Sequence, residues 1–521
     1  MVAALAALVL TLPTDAGAQA GFRFGVTAGE VGSRSALLWG AMDRAGKARA
    51  LVATDARFRR IVARKQVRAL ASNDFTIQAR IMGLRPDQRY HYRFCTSRGC
   101  GPKGRFETAP LPSQAKTIRF AYTGDTDATR ATGQSRPFWG PFTVFNAMRR
   151  EGNDFNVHFG DTIYSDTEVP GSGPPALTTQ EKWGKYKLNL GQAPLRKLRG
   201  SAGFYSHWDD HEFVNDFSVP EHGEELYGAG VRAFRDYAPV TYTQADGLYR
   251  TFRWGRNLEL FFLDERSFRD AKASATDVCD NPGTPGQADL APTAPQALRD
   301  VFALLIPSLA NPVAQGCLDA INDPNRSMLG ETQFEAFLDD LDASTATWKI
   351  VVNETPIQQF YGLPYDRWEG YAYERVELLN QLQERGIANV VFITTDTHAD
   401  FANVIRERTI PGDSAPANAP AEAPVDTPYQ DFVTGPVATA NFWTEIDGVT
   451  GEPGSGELLS QLFFKTDPPD GPGMFCAQGD TDSYAEVTVT AARVRIAYKN
   501  ASGGPVLDVD DTQCGPYTVE P

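Results

Sequence analysis

Four segments of this chain share one form: an apolar run, short enough for a buried strand, that ends abruptly in acids, imidazoles or a phenol. They are Ile118 to Asp127, with Gly124-Asp125-Thr126-Asp127 at its end, and Asn156 to Tyr164, with Gly160-Asp161-Thr162-Ile163-Tyr164. The others are Phe204 to Glu212, ending in Trp208-Asp209-Asp210-His211-Glu212, and Asn389 to His398, ending in Asp396-Thr397-His398. Open α/β sheets place their ligands at the carboxyl ends of their strands. Four such ends directed at one rim describe a multinuclear metal site, and they restrict the chain to an α/β architecture around it.

Carboxylates suit hard cations, and imidazole adds affinity for transition metals. A phenolate favours a strongly Lewis-acidic ion, ferric iron above all. Asp161 and Tyr164 sit at i and i+3, where a strand turning into a loop can bring both oxygens to one ion. Asp125 and Asp127 lie on one side of a strand end, although a lone D-x-D is also ordinary turn sequence. Asp210 is the metal ligand expected from the third segment. His211 beside it is placed as a general acid or a phosphate-oxygen donor. Asp396 and His398 supply a carboxylate and an imidazole from the fourth. Four of the six histidines fall in these segments; His158 and His207 read as packing residues, as does His91 elsewhere.

The remaining chain fits around that rim. Residues 1–20 read as a signal peptide, with an apolar stretch from Ala3 to Leu12 and a small-x-small site at Ala18-Gln19-Ala20, though without a basic start. Residues 21–112 carry short strand patterns separated by turn signals, as in an all-β sandwich. From Thr117 strands alternate with helical stretches, the pattern of an α/β sandwich running to about residue 500. Within it, residues 270–330 are an insertion rich in Pro, Asp and Asn, a candidate lid. Residues 411–428 read as a mobile Ala/Pro-rich loop. Residues 501–521 form a tail stapled by a disulfide. The six cysteines pair in sequence order, Cys95 with Cys100, Cys279 with Cys317 and Cys476 with Cys514, since export permits disulfides and no finger-like zinc spacing is present.

Across all 521 residues the formal charge is −15, which leaves no basic excess for a nucleic-acid backbone. Bound cations would still permit a phosphate substrate. No apolar run after the leader reaches the ~20 residues of a membrane span. The expected location is secreted or periplasmic.

The ordered set G-D-x-D, G-D-x-x-Y, W-D-D-H-E, N-x-x-P (Asn353 to Pro356) and D-x-H resembles the PhoD-like alkaline phosphatase/phosphodiesterase family of calcineurin-like metallophosphoesterases. Gly83-Leu84-Arg85-Pro86 with Tyr90 is similar to the corner of a fibronectin-type sandwich, and Leu263 to Arg269 to the family's L-D-x-R-x-x-R run. The resemblance implies a fibronectin/Ig-like N-terminal sandwich followed by a four-layer α-β-β-α metallophosphoesterase sandwich. It implies Asp161 bridging metals, Tyr164 on ferric iron, Asp210, Asp396 and His398 as ligands, and His211 beside the phosphate. Asn353, or Glu354 next to it, falls where related enzymes have a further ligand. Arg266 is expected either to grip phosphate with two prongs or to stand in a structural salt bridge.

The family's cysteine on iron is here Asp125, with Asp127 where the superfamily has a histidine. A di- or trinuclear site of Fe3+ and Ca2+ is implied. The harder carboxylate makes Mn2+, Mg2+ or Zn2+ competitive. The expected activity is hydrolysis of small phosphomono- or diesters. A phospholipase-D-like phosphodiesterase is the alternative, and an exported calcium-stabilised binding protein the remote one; metal analysis with a phosphatase assay separates the last from the others.

Overall fold

The computed structural model describes residues 21–521; the expected signal peptide lies outside them. Two large mixed sheets stack face to face. The first runs in the order Tyr517–Val519, Val494–Asn500, Ser483–Val489, Ile118–Thr126, Phe155–His158, Gly203–Ser206, Val26–Gly29, Ser35–Ala41 and Thr76–Met82, with Pro436–Ala438 also on Ile118–Thr126. The second is Arg250–Trp254, Leu258–Phe262, Trp348–Asn353, Val390–Thr394, Val425–Val433, Asp400–Arg408 and Cys476–Gln478. Their inner faces alternate large apolar residues, so Phe120, Val157 and Tyr205 of one sheet meet Trp254, Ile350, Val391 and Phe432 of the other in a single core. Polar atoms trapped between the sheets are satisfied across the gap: Tyr122 Oη donates to Phe432 O at 2.7 Å and Trp254 Nε1 to Tyr205 Oη at 2.8 Å.

The outer faces are covered by helices. Val144–Arg150, Thr179–Leu190, Ala193–Arg199 and Glu224–Tyr237 cover the first sheet, and Glu331–Ala343 and Ala372–Glu384 the second. The layers are therefore α-β-β-α. Thr179–Leu190 has no strong apolar stripe, but Thr178 and Glu181 form a capping box that fixes its start.

The N-terminal part departs from a free-standing sandwich. One of its sheets, built from Ile61–Ala69, Gly46–Ala53, Arg89–Thr96 and their short neighbours, is separate, with Tyr90 Oη accepting from Arg85 N at 2.9 Å as in the expected corner. Its other three strands extend the first large sheet, with Val26–Gly29 beside Gly203–Ser206. Non-local pairing of this kind leaves no trace in strand patterning. The Ala/Pro-rich loop is also held. Arg408 donates to Pro420 O, Asp413 O and Pro416 O at 2.6–2.8 Å, and the strand Val425–Val433 begins inside the loop. All three sequential cysteine pairs are bonded. Cys279–Cys317 ties the ends of the insertion, whose helix Gln296–Phe302 is secured by Arg299 on Asp289 at 2.7 Å. Among the described residues no helix is long and apolar enough to cross a membrane.

Candidate metal centre

The parallel strands Ile118–Thr126, Phe155–His158 and Gly203–Ser206 of one sheet and Val390–Thr394 of the other open at the same rim. There the backbone turns sharply. Asp125, Asp161, Asp396 and His398 all adopt positive φ, between 46° and 70°. Side chains seldom sit in this left-handed region, and residues held there concentrate at functional sites. The turns are locked to each other: Asp125 N donates to Gly160 O at 3.2 Å and Thr126 N to Asp161 O at 2.9 Å. Gly124 has to be glycine, because a Cβ there would collide with Phe159 O.

These turns bring donors from four segments together. One ligand atom from each of Asp125, Asp161 and His398 lies within 4.8 Å of the other two, and the same holds for Asp161, Asp210 and His211, and for Asp209, Asp210 and Asp396. Asp161 belongs to the first two groups and Asp210 to the second and third. Tyr164 Oη is 2.8 Å from His398 Nε2, and the Tyr164 ring lies 4.1 Å from that of His211, centre to centre.

Both imidazoles are oriented from behind. His398 Nδ1 is 2.6 Å from Glu445 Oε1, which fixes the proton there and leaves Nε2 for the cluster. His211 Nδ1 is 2.6 Å from Asp166 Oδ1, and the other Asp166 oxygen accepts from Asn215 N at 2.7 Å.

The cluster is short of positive charge. Burial pushes the Asp125 carboxyl up to about 7 against the pull of His398 and His211. Burial and neighbouring carboxylates push Asp161, Asp209 and Asp396 well above the usual range. Burial also raises the Tyr164 phenol, with Asp161 and Asp125 adding to it. Both Asp125 oxygens are buried without a hydrogen-bond partner. Such groups are tolerated when they coordinate a cation. Hard oxygens with one imidazole and one phenol suit it, so the residues present fit a group of metal ions: Asp125, Tyr164 and His398 on one side of Asp161, and Asp210 with Asp209 or Asp396 on the other.

Three residues expected at the site are engaged elsewhere. Asp127 accepts from Thr129 N at 2.8 Å and from Thr167 Oγ1, so its acid caps a turn. Asn353 donates to Thr355 O and accepts from Trp368 Nε1 at 3.1 Å, holding the loop behind the rim; Glu354 contacts His207 Nε2 at 2.7 Å. Arg266 is fully buried, with Nε on Asp209 at 2.5 Å and Nη1 on Asp366 at 2.8 Å, while Nη2 has no hydrogen-bond partner and faces Asp210 and Asp396 at 3.9–4.0 Å. Sequence reading passed over Asp166, Asp209, Glu212, Asp366 and Glu445. Glu212 bridges two motif loops, accepting from Thr162 N at 2.6 Å and Asp209 N at 2.9 Å. Its place in the run Asp209 to Glu212 was the available signal.

The sequence matches the family model of the PhoD-like phosphatases over residues 128–468, well over half of the chain, and that of their N-terminal domain over residues 7–110. It is 25% identical over 426 residues to alkaline phosphatase D of Bacillus subtilis (strain 168), a match covering 73% of this chain and 65% of that protein, just under two thirds of its length. A solved structure of PhoD superposes with a TM-score of 0.70 at 20% identity, covering 97% of this chain and 90% of the other. The purple acid phosphatase PPD1 from yellow lupin seeds gives 0.55 at 11% identity, covering 94% and 74%. At these identities the two structures speak for a shared fold.

Proposed function

The chain belongs to the PhoD-like phosphatase family, and from that membership we propose that it hydrolyses small phosphate esters at a multinuclear metal centre. The observation that carries the reading is Asp161, a buried carboxylate common to two donor groups, next to an Asp125 whose oxygens have no other partner. Metal ions bound there would lower the pKa of water and offset charge on the phosphoryl oxygens. Asp161 is positioned to bridge two of them, with one oxygen also accepting from His211 N at 3.1 Å. Tyr164, Asp125 and His398 would hold the more Lewis-acidic ion, ferric iron. Asp210, helped by Asp209 or Asp396, would hold an ion content with oxygen ligands, such as Ca2+.

His211 supplies the proton. Burial works against its charged form; the Asp166 carboxylate at Nδ1 favours it, and of the acids that do so it is the one not assigned to the cations. A protonated ring held by Asp166 at Nδ1 presents Nε2–H to a leaving or non-bridging phosphate oxygen. Glu445 does the corresponding work for His398, keeping Nε2 aimed inward. Arg266 ties Asp209 to Asp366 and so fixes the shape of the acidic wall.

Three disulfides fit an oxidising compartment, which supports a location outside the cell or in the periplasm. The test is hydrolysis of p-nitrophenyl phosphate and bis(p-nitrophenyl) phosphate before and after chelation. Activity against at least one, lost with the metal and restored by iron with calcium or manganese, is expected. No turnover of either by metal-loaded protein would sink the reading.

A further inference from the structure

An apolar cleft of about 100 Å3, open at one side, lies against the helix that orients His398. Its walls are the insertion (Phe302, Leu309), the turn at Phe360, and the helix Phe442–Thr450, through Phe442, Ile446 and Val449. Ligand sites are typically mostly apolar with a few placed polar groups. The helix serves both places. Glu445 orients His398 at 2.6 Å and Phe442 N donates to His398 O at 3.1 Å, so the cleft wall and the metal-ligand loop are joined directly.

Two observations point to an occupant. At the mouth Leu305, Leu363 and Val449 are 39–45% exposed, an apolar rim left to solvent. Arg367, also in the lining, is only 9% exposed, yet the one side-chain hydrogen bond it makes among the described residues runs from Nη2 to Gly362 O. Its guanidinium lies over the Phe360 ring at 5.0 Å, and its buried Nε has no acceptor. A ligand with an apolar body and an oxygen acceptor satisfies both features.

We propose that the cleft is a substrate subsite that takes an alkyl or acyl substituent of the phosphate ester while the phosphoryl group lies at the metal centre. This rests on the hydrolase reading above and narrows it to amphiphilic esters. Arg367 is the donor to an ester or hydroxyl oxygen near the start of the chain. Each methylene entering the cleft should raise kcat/KM about two- to fourfold until the cleft is full.

The test compares ethyl and octyl p-nitrophenyl phosphate with the metal-loaded full chain. The octyl ester is expected to have at least tenfold higher kcat/KM, and Val449→Asp, at the exposed mouth, to lower the octyl-to-ethyl ratio at least fivefold. A wild-type ratio near one, or a ratio unmoved by both Val449→Asp and Ile446→Asp, overturns the subsite and leaves the hydrolase standing. If neither diester is cleaved, turnover of p-nitrophenyl phosphate decides the hydrolase reading separately, and binding decides the subsite. Decylphosphonate binding at least tenfold tighter than methylphosphonate upholds it, and equal affinity overturns it.

Discussion

Tyr164 Oη and His398 Nε2 stand 2.8 Å apart across 234 residues of chain. The phenol is buried among carboxylates that disfavour its ionisation, and the imidazole is held by Glu445 with its free nitrogen inward, so without metal the two atoms share a hydrogen bond. A strongly Lewis-acidic cation lying against both would replace that hydrogen bond. Iron-loaded protein is therefore expected to show a visible phenolate-to-iron absorption band that disappears in Tyr164→Phe. Absorption spectra with metal analysis check this; a band of full intensity in the variant would rule out Tyr164 as the ligand.

Glu445 makes a separate prediction. It touches the site only through His398, and its side chain is partly exposed, so Glu445→Gln should fold normally. Loss of the carboxylate behind a metal-bound histidine typically weakens metal binding about 10- to 100-fold. Titration with a competing chelator measures it, with Glu445→Asp expected to recover part of the affinity.

Asp166 acts on the proton donor instead. Burial alone would raise its pKa, but the bonds from His211 and Asn215 N more than compensate and keep it ionised. Asp166→Asn is expected to lower kcat by about 10²-fold, the lower end of general acid contributions, while KM and metal content change little. Steady-state kinetics on matched metal-loaded samples would separate this from a simple loss of structure, which would lower all three.

Arg266 should report on stability more than on substrate binding. Removing one partner of a buried ion-pair network costs about 3–5 kcal/mol, because Asp209 is then buried without a counter-charge and Asp366 is left with Arg269. Arg266→Met is expected to lower the denaturation midpoint strongly. An unchanged midpoint with a raised KM alone would restore the phosphate-gripping role expected from the sequence.

Lys182 gives the fold a pH dependence. Burial, only partly offset by Asp166 and Glu212, lowers its amine from 10.5 to about 7, while it donates to Ser165 Oγ at 2.9 Å and Phe213 O at 2.8 Å behind two motif loops. Between about pH 7 and 10.5 the unfolded chain holds a proton that the folded chain lacks. Stability from this group therefore rises with pH across that window, by up to about 1.4 kcal/mol per unit, and is lost as pH falls back toward 7. Lys182→Met should flatten the slope in chemical denaturation measured from pH 7 to 10.

The convergence at the rim was legible because each motif sits where a buried strand must end, so that Asp125, Asp161, Asp210 and His398 carry their placement in local pattern. Asp127 looked equivalent, but a D-x-D acid can ligate or cap, and only the position of Thr167 decides between them. Glu445 lies 47 residues from the histidine it orients, in a helix without a motif of its own. The pairing of Arg266 Nη1 depends on Asp366, 100 residues away. The joining of the N-terminal strands to the main sheet is likewise a matter of partners distant in sequence.

The central claim is that Asp161 is shared between cations, and the metal content of purified Asp161→Asn beside wild type tests it most directly. Wild type is expected to carry at least two ions per chain, and the variant to lose at least one together with nearly all hydrolysis of p-nitrophenyl phosphate. A variant with the full complement of metal and undiminished turnover would contradict the account.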